Sequence, residues 1–155
     1  MISGFVIRRV RPADRAQVWS LHRAATSGAE VFDHDEYFSD LKDLEASYLN
    51  LGGEFLVGVT DTRIVAMGGL LPRGGGVAEI LRMRVHPAHQ RSGFATVVLE
   101  TLEGRARELG CRKLVLQTTL VQVAARRFYE SQGFVETGIG SEDGYEVVGY
   151  AKDID

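Results

Sequence analysis

The chain of 155 residues lacks the features that crosslink small extracellular proteins. Cys111 is its one cysteine, so no disulfide forms within the chain, and no cysteine spacing is typical of a zinc site. We therefore expect a reducing compartment, no bound metal, and a core held by apolar packing. Cys111 follows Gly110 at the predicted end of a helix, which favours a small buried hydrophobic residue over a nucleophile.

Long apolar runs and an excess of positive charge are also missing. No segment has the pattern of a secretion signal or the length of a membrane span, so we expect a cytoplasmic protein without membrane contact. Eighteen basic against 21 acidic residues give a net charge of -3, the wrong sign for binding nucleic acid. The 45% hydrophobic and 25% charged composition predicts one globular domain over residues 1–155.

Apolar periodicity predicts an α/β protein. A strand at 5–10 precedes a helix that Asp14 caps, and a loop then leads to a second helix that ends at Gly52. A β-hairpin and a third strand follow, and Pro87 ends that strand. The remaining elements are predicted as helix, strand, helix, strand and strand, at 94–109, 113–118, 122–132, 134–139 and 145–154. The βαβ alternation in this part implies partly parallel pairing.

One connection between a strand and a helix has the composition of a phosphate-binding loop. It follows Val85 and contains Ser92, Gly93 and Ala95. Small side chains let the backbone approach a ligand, and the free N–H groups of a first helical turn favour a pyrophosphate. By itself, the pattern is as compatible with a tight turn that binds nothing.

The same segment resembles the acetyl-CoA signature of the GNAT superfamily of N-acetyltransferases. In that signature Gln or Arg, two residues, Gly, one residue, and then Gly or Ala follow a strand. Gln90, Gly93 and Ala95 occupy these positions, after Val85 at the end of the predicted strand. Arg91 departs from the pattern, since many members have a glycine at its position.

A second segment, 122–134, resembles the later helix of the same family. Ala125, Tyr129, Gly133 and Phe134 match its Ala, Tyr, Gly and Phe. Gln122 departs from it, since many members have an asparagine there that contacts the cofactor. With the order of elements, the resemblance covers essentially the whole chain.

The resemblance implies a mixed, mostly antiparallel sheet of six to seven strands, flanked by about four helices and with a splayed parallel pair at the cofactor site. It implies acetyl-CoA as co-substrate and a small-molecule or protein amine as acceptor. The residues that it assigns to the cofactor are Met83, Arg84, Val85, Gln90, Arg91, Ser92, Gly93, Phe94, Ala95, Thr96 and Gln122.

Two residues are candidates for proton transfer. Glu79 opens the strand that leads to Val85, where histone-modifying members of the family have a glutamate, so the resemblance suggests a base for the acceptor ammonium. A solvated glutamate at a strand end is the alternative. Tyr129 matches the family residue that usually protonates the departing thiolate, and core packing is its alternative. A backbone N–H within 83–85 could stabilise the oxyanion.

Competing interpretations remain open at this stage. A non-catalytic acyl-CoA sensor would keep the phosphate loop without the chemistry. A Rossmann domain is disfavoured, because the glycine loop does not follow the first strand and GxGxxG is incomplete. His22 on the first helix is expected to be partly solvated, and the loop residues His86 and His89 suggest no metal site.

The acceptor and the oligomeric state are the least determined features. The segment 26–36 lies where family members shape the acceptor pocket, and its acidic and aromatic side chains favour a cationic amine, although an ordinary solvated loop is the alternative. These side chains are Glu30, Phe32, Asp33, Asp35, Glu36 and the adjacent Tyr37. The apolar closing strand YEVVGYA offers an edge for a homodimer.

Overall fold

Seven strands and four α-helices form the part of the chain that the computed structural model describes, residues 4–26, 35–142 and 144–155. The strands are β1 (Val6–Arg9), β2 (Glu54–Thr60), β3 (Arg63–Gly74), β4 (Val77–Val85), β5 (Lys113–Thr119), β6 (Val135–Glu142) and β7 (Tyr145–Asp153). The helices are α1 (Arg15–Thr26), α2 (Leu44–Ser47), α3 (Phe94–Glu108) and α4 (Val123–Ser131). Short 3₁₀ segments occur at Pro12–Asp14, Asp35–Lys42, Leu49–Leu51 and Pro87–His89.

The strands pair in the order β1-β2-β3-β4-β5-β7-β6, and β4–β5 is the one parallel pair of this sheet. Their pairing begins at Val77 with Lys113 and stops at Glu79 with Val115, although both strands continue. The two strands therefore separate into a cleft. The expected mixed sheet with a splayed parallel pair is confirmed.

Two apolar clusters pack on the sheet. One contains Val98, Leu99 and Leu102 of α3 together with Tyr129 of α4. The other contains Val18 and Leu21 of α1 together with apolar residues of the segment 38–48. Burial of these apolar faces, rather than a crosslink, is the main stabilising term, at roughly 25 cal/mol per Å². Cys111 is 7% exposed within the first cluster, as expected.

A β-bulge interrupts β4 where it leaves β5. Gly69 pairs with Leu81 and Met67 with Arg84, so Arg82 and Met83 both lie opposite Gly68. Arg82 has φ +56°, a conformation that costs a residue other than glycine about 1 kcal/mol. A Cβ on Gly68 would lie 2.5 Å from Met83 Sδ and 3.0 Å from Leu102 Cδ1, so a larger residue there would displace Met83 or α3.

Contacts of the Arg82 side chain offset this strain. Its Nη2 lies 2.8 Å from Asp40 Oδ1 and its Nε donates to Asp40 Oδ2 at 3.1 Å. The guanidinium carbon stands 4.6 Å from the Phe38 ring centre, and the Tyr48 hydroxyl donates to the same Asp40 carboxylate. The segment 35–48 thus anchors the bulge.

Three details differ from the sequence-based expectations. The predicted second helix is a 3₁₀ segment followed by one turn of α-helix, because Phe38 has non-helical φ/ψ angles and Asp43 caps a new start. The closing strand β7 lies between β5 and β6, so it offers no edge for a dimer. The edge strand on this side of the sheet is β6. Self-association remains a prediction. No helix within the described ranges is long and apolar enough to cross a bilayer.

His22 is the third difference, because it is 1% exposed rather than partly solvated. Its ring lies 4.2 Å from the Phe38 ring and 5.4 Å from the Trp19 ring. Burial, together with the charges of Arg84 and Arg82, lowers the pKa of His22 to about 4. The imidazole is therefore neutral in the folded protein at pH 7.

We expect the wild type to lose stability on acidification because of His22. The unfolded histidine takes up a proton near pH 6.5 and the folded one only near pH 4, so stability falls as pH drops between these values. Between pH 7 and 5 the loss is on the order of 1–2 kcal/mol. Urea denaturation of wild type and His22→Leu at both pH values checks this; an equal pH dependence of the two proteins contradicts it.

Candidate active site

A cavity of about 780 Å³ occupies the opening between β4 and β5. β4 lines it from Glu79 to Val85 and β5 from Val115 to Thr119. The end of α1, the start of α4 and parts of β6 and β7 complete the wall. The cavity therefore results directly from the early end of β4–β5 pairing.

The edge of β4 that faces the cavity presents peptide groups that do not pair with β5, because that pairing ends at Glu79. The N–H of His86 bonds to Val65 O of β3 at 2.8 Å. Because peptide groups alternate in direction along a strand, those of Val85 and Met83 point away from β3, toward the opening. The Met83 carbonyl accepts from Arg84 Nη1 at 2.9 Å and the Val85 carbonyl from Gln90 Nε2 at 3.1 Å. An extended ligand arm could pair with this edge like an additional strand.

Tyr129 lines the same cavity from α4 and is 8% exposed. Its ring packs against those of Phe128, Phe134 and Tyr150. Within the described residues its Oη has no hydrogen-bond partner. Burial raises the pKa of Tyr129 to about 12, although the positive charge of Arg84 acts in the opposite direction. The phenol is therefore protonated throughout the neutral range.

Arg84 supplies positive charge next to this phenol. It is half-buried in the cavity wall, and burial together with the charge of Arg82 lowers the pKa of Arg84 to about 10. It is thus still a cation at pH 7. A phenolate formed at Tyr129 or a thiolate formed beside it would gain from this charge.

Glu79 lies at the base of the cleft, at the last residue of β4 that pairs with β5. Its side chain is 23% exposed and lines the cavity. Arg73 of β3 holds its Oε1, through Nε at 2.8 Å and Nη2 at 2.6 Å. Oε2 accepts no hydrogen bond within the described residues. Glu79 is thus an oriented carboxylate with one oxygen available, neither a fully solvated side chain nor a fully neutralised one.

The connection from β4 to α3 has the geometry of an anion-binding loop. Arg91 (φ +62°) and Gly93 (φ +87°) both adopt the left-handed region. Consequently six successive N–H groups, from Arg91 to Thr96, have no acceptor within the described part of the chain. Such a row of N–H groups, together with the α3 dipole, is suited to binding a phosphate. The positive φ also explains why a glycine at position 91 is common in the related motif.

The predicted cofactor residues fall into two groups. Met83, Arg84, Val85, Gln90 and Gln122 line the cavity. The residues from Arg91 to Thr96 follow Gln90 outside the lining, and Arg91, Ser92 and Gly93 are exposed.

Side-chain contacts limit what some of these residues can do. The Phe94 ring is 7% exposed and stacks on Phe5 at 3.9 Å, so its N–H alone is available to a ligand. The Gln122 side-chain oxygen accepts from the Thr118 and Thr119 hydroxyls at 2.9 and 3.0 Å. Gln122 therefore joins the start of α4 to β5, and its contact with a cofactor would use the remaining amide group.

Two arginines near the site were not predicted from the sequence: Arg73, which pairs with Glu79, and Arg82, which pairs with Asp40. Arg73 stands on β3 shortly before the hairpin turn, so the pairing of β3 with β4 could have placed it beside Glu79. No sequence pattern predicts the position of Arg82, because a β-bulge at a residue other than glycine has no characteristic sequence. The segment 27–34, with most of the acidic and aromatic side chains expected to shape the acceptor pocket, lies outside the described residues, as do the side chains of 35–37. Within the described ranges no three potential metal ligands cluster.

Residues 16–134 match the family model described as the acetyltransferase (GNAT) family. The chain belongs to this family. The match includes both β4 and α4, which carry Glu79 and Tyr129. The expectation from the two sequence motifs is confirmed.

Curated relatives are N-acetyltransferases by name. The chain is 33% identical over 109 residues to "Probable N-acetyltransferase family 8 member 5" of Mus musculus, covering 67% of this chain and 48% of that protein. It is 30% identical over 112 residues to "IAA acetyltransferase" of Azospirillum brasilense, covering 67% and 73%. The chain spans about half the length of the mammalian relatives it matches.

Solved structures share the fold over nearly the whole chain. A GNAT acetyltransferase of Staphylococcus aureus Mu50 superposes with a TM-score of 0.89 at 18% identity, covering 97% of this chain and 99% of that one. The PaiA N-acetyltransferase of Thermoplasma acidophilum, solved in complex with coenzyme A, gives 0.77 at 17% identity, covering 96% and 98%.

We expect Gly93→Ala to weaken binding of coenzyme A at least tenfold, since a Cβ would enter the loop that presents the N–H groups. Any side chain at φ +87° also strains the fold by about 1 kcal/mol. Gly110→Ala is the matched control, because Gly110 has φ +84° at the far end of α3 with nothing within 4 Å of a Cβ. Calorimetric titration separates the two effects; equal affinities of both variants would exclude this loop as the phosphate site.

Proposed function

We propose that the chain is an acetyl-CoA-dependent N-acetyltransferase that transfers the acetyl group directly to a primary amine. The observation that carries the proposal is the cavity between β4 and β5, which brings Glu79, the open edge of β4 and Tyr129 to one place. Family membership supports acetyl-CoA as the donor.

The cofactor would bind along the cleft. Its pyrophosphate would accept hydrogen bonds from the N–H groups of 91–96, and its pantetheine arm would pair with the edge of β4 at Met83 and Val85. Because the Gln90 side-chain amide already donates to the Val85 carbonyl, it would have to move away or share that carbonyl with the pantetheine arm. The thioester would then lie in the cavity that Tyr129 and Glu79 line.

The reaction needs one base and one proton donor. Glu79 Oε2 takes a proton from the acceptor ammonium, and the neutral amine then attacks the thioester carbon. The C–N bond forms, and the N–H of Met83 or Val85 donates to the oxyanion. The intermediate loses a second proton to solvent, and the C–S bond breaks. The departing CoA thiolate takes up one proton, and Glu79 releases its proton to solvent. The net products are an amide, CoA thiol and one proton.

Tyr129 would donate its hydroxyl to the sulfur as the C–S bond breaks. Its pKa of about 12 exceeds the ordinary thiol pKa of about 8.5, so full transfer of the proton is uphill in the free enzyme. Hydrogen bonding to the developing thiolate is therefore the main contribution of the phenol.

We expect Tyr129→Phe to lower kcat at least tenfold with little change in the KM for acetyl-CoA, because the ring remains and the hydroxyl alone is lost. Wild-type kcat should not fall between pH 8 and 10 through ionisation of this phenol, whose pKa is about 12. Steady-state kinetics by thiol release measures both.

Tyr150→Phe serves as the control for that experiment. Tyr150 is 1% exposed, and its hydroxyl donates to Glu130 at 2.8 Å. Its loss should lower the melting temperature and leave kcat within about threefold. Wild-type turnover by Tyr129→Phe would exclude the proton-donor role. No turnover of any amine by the wild type would favour a sensor that binds acyl-CoA without chemistry.

We expect Glu79→Gln to reduce activity most near neutral pH and to recover part of it as the pH approaches the pKa of the amine, which then deprotonates by itself. Glu108→Gln is the control, because Glu108 also pairs with an arginine, Arg105 at 3.8 Å, but is 68% exposed at the end of α3. The pH–rate profile is the readout. An unaltered profile would mean that water or another residue removes the proton.

A further inference from the structure

The Arg73–Glu79 ion pair is a charged feature of the cavity that proton transfer alone does not explain. Removal of a proton from an ammonium needs a carboxylate but does not need a guanidinium beside that carboxylate. Yet Arg73 contacts Glu79 through two nitrogens, and both residues line the cavity. Arg73 is 47% exposed, so a ligand can reach its outer edge.

The pair leaves one free group of each sign. The hydrogen bond and the shortest ion-pair contact of Arg73 both go to Oε1 of Glu79. Oε2 accepts no hydrogen bond within the described residues, so it remains for a cation. A guanidinium has five N–H donors, and Glu79 accepts the one of Nε and lies in ion-pair contact with Nη2. Within the described residues the Nη1 donors have no partner, and they remain for an anion. A carboxylate matches this fork.

We propose that the acceptor is a zwitterionic amine, an α-amino acid with free α-amino and α-carboxylate groups. This inference rests on the proposed function and names its substrate class. The ammonium lies on Glu79 Oε2 and the carboxylate on the outer edge of Arg73. The ammonium and carboxylate groups attached to the α-carbon of the substrate would thus contact two groups of opposite charge, Glu79 on β4 and Arg73 on β3.

The other charges of the described lining agree with an acceptor that carries a negative group. Three arginines line the cavity, Arg73, Arg82 and Arg84, against two glutamates, Glu79 and Glu142. A polyamine would bring further positive charge to this surface. Arg73 is thus a specificity-determining residue, and Glu79 keeps its role as base.

The experiment compares each amino acid with its own amide. Glycine, L-alanine, L-methionine and L-phenylalanine, their amides, and spermidine are offered with acetyl-CoA to wild type and Arg73→Met. We expect wild type to favour the acids over spermidine, and Arg73→Met to lower the acid-to-amide ratio of kcat/KM by about 10- to 100-fold. A merely structural role of Arg73 would lower both rates equally and leave the ratio unchanged.

Two further variants complete the design. Arg73→Lys keeps the charge without the fork, so its ratio should fall between those of wild type and Arg73→Met. Arg63→Met removes an exposed arginine from the opposite end of β3, outside this cavity, and should leave the ratio unchanged. An unchanged ratio in Arg73→Met, or a preference of wild type for spermidine, overturns the inference while leaving acetyl transfer intact.

A binding measurement separates this inference from the proposed function. With CoA present, calorimetry should show that wild type binds N-acetyl-L-methionine at least tenfold more tightly than its amide, and that Arg73→Met loses the difference. If no amine is acetylated, the proposed function fails, and this binding difference still decides the inference. Equal affinities, or no binding of either compound, overturn it.

Discussion

The site depends on the separation of β4 from β5 after Glu79, and the bulge at Arg82 accompanies that separation. The bulge needs a residue with positive φ, which Arg82 adopts at a cost in strain. The ion pair with Asp40 and the packing on Phe38 offset that cost. A polar network on one face of the sheet thus keeps an edge of β4 open for a ligand.

The cleft brings together polar groups that lie on separate elements of the chain. α3 presents free N–H groups to an anion, whereas α4 places a protonated phenol in the wall. β3 and β4 hold the Arg73–Glu79 pair at the base. In the proposed direct transfer, the donor would enter from the side of α3 and the acceptor from the side of the Arg73–Glu79 pair.

Burial has opposite consequences for the titratable groups around this site. It keeps Tyr129 protonated and His22 neutral at pH 7, because in each case the charged form would lose solvation. Arg84 remains charged although its pKa is lowered. The result is a wall with a fixed positive charge next to a neutral phenol, an arrangement suited to a developing thiolate.

The sequence by itself predicted the order of strands and helices, because local periodicity carries that information. The resemblance of two motifs to the GNAT family supplied the phosphate-loop hypothesis around Gly93 and the candidates Glu79 and Tyr129. The sequence did not determine the bulge at Arg82, the burial of His22 or the internal position of β7. Those features arise from contacts between residues far apart in the chain, such as Arg82 with Asp40, and from strand order. The Arg73–Glu79 pair likewise exists only because β3 and β4 align, which tertiary structure alone decides.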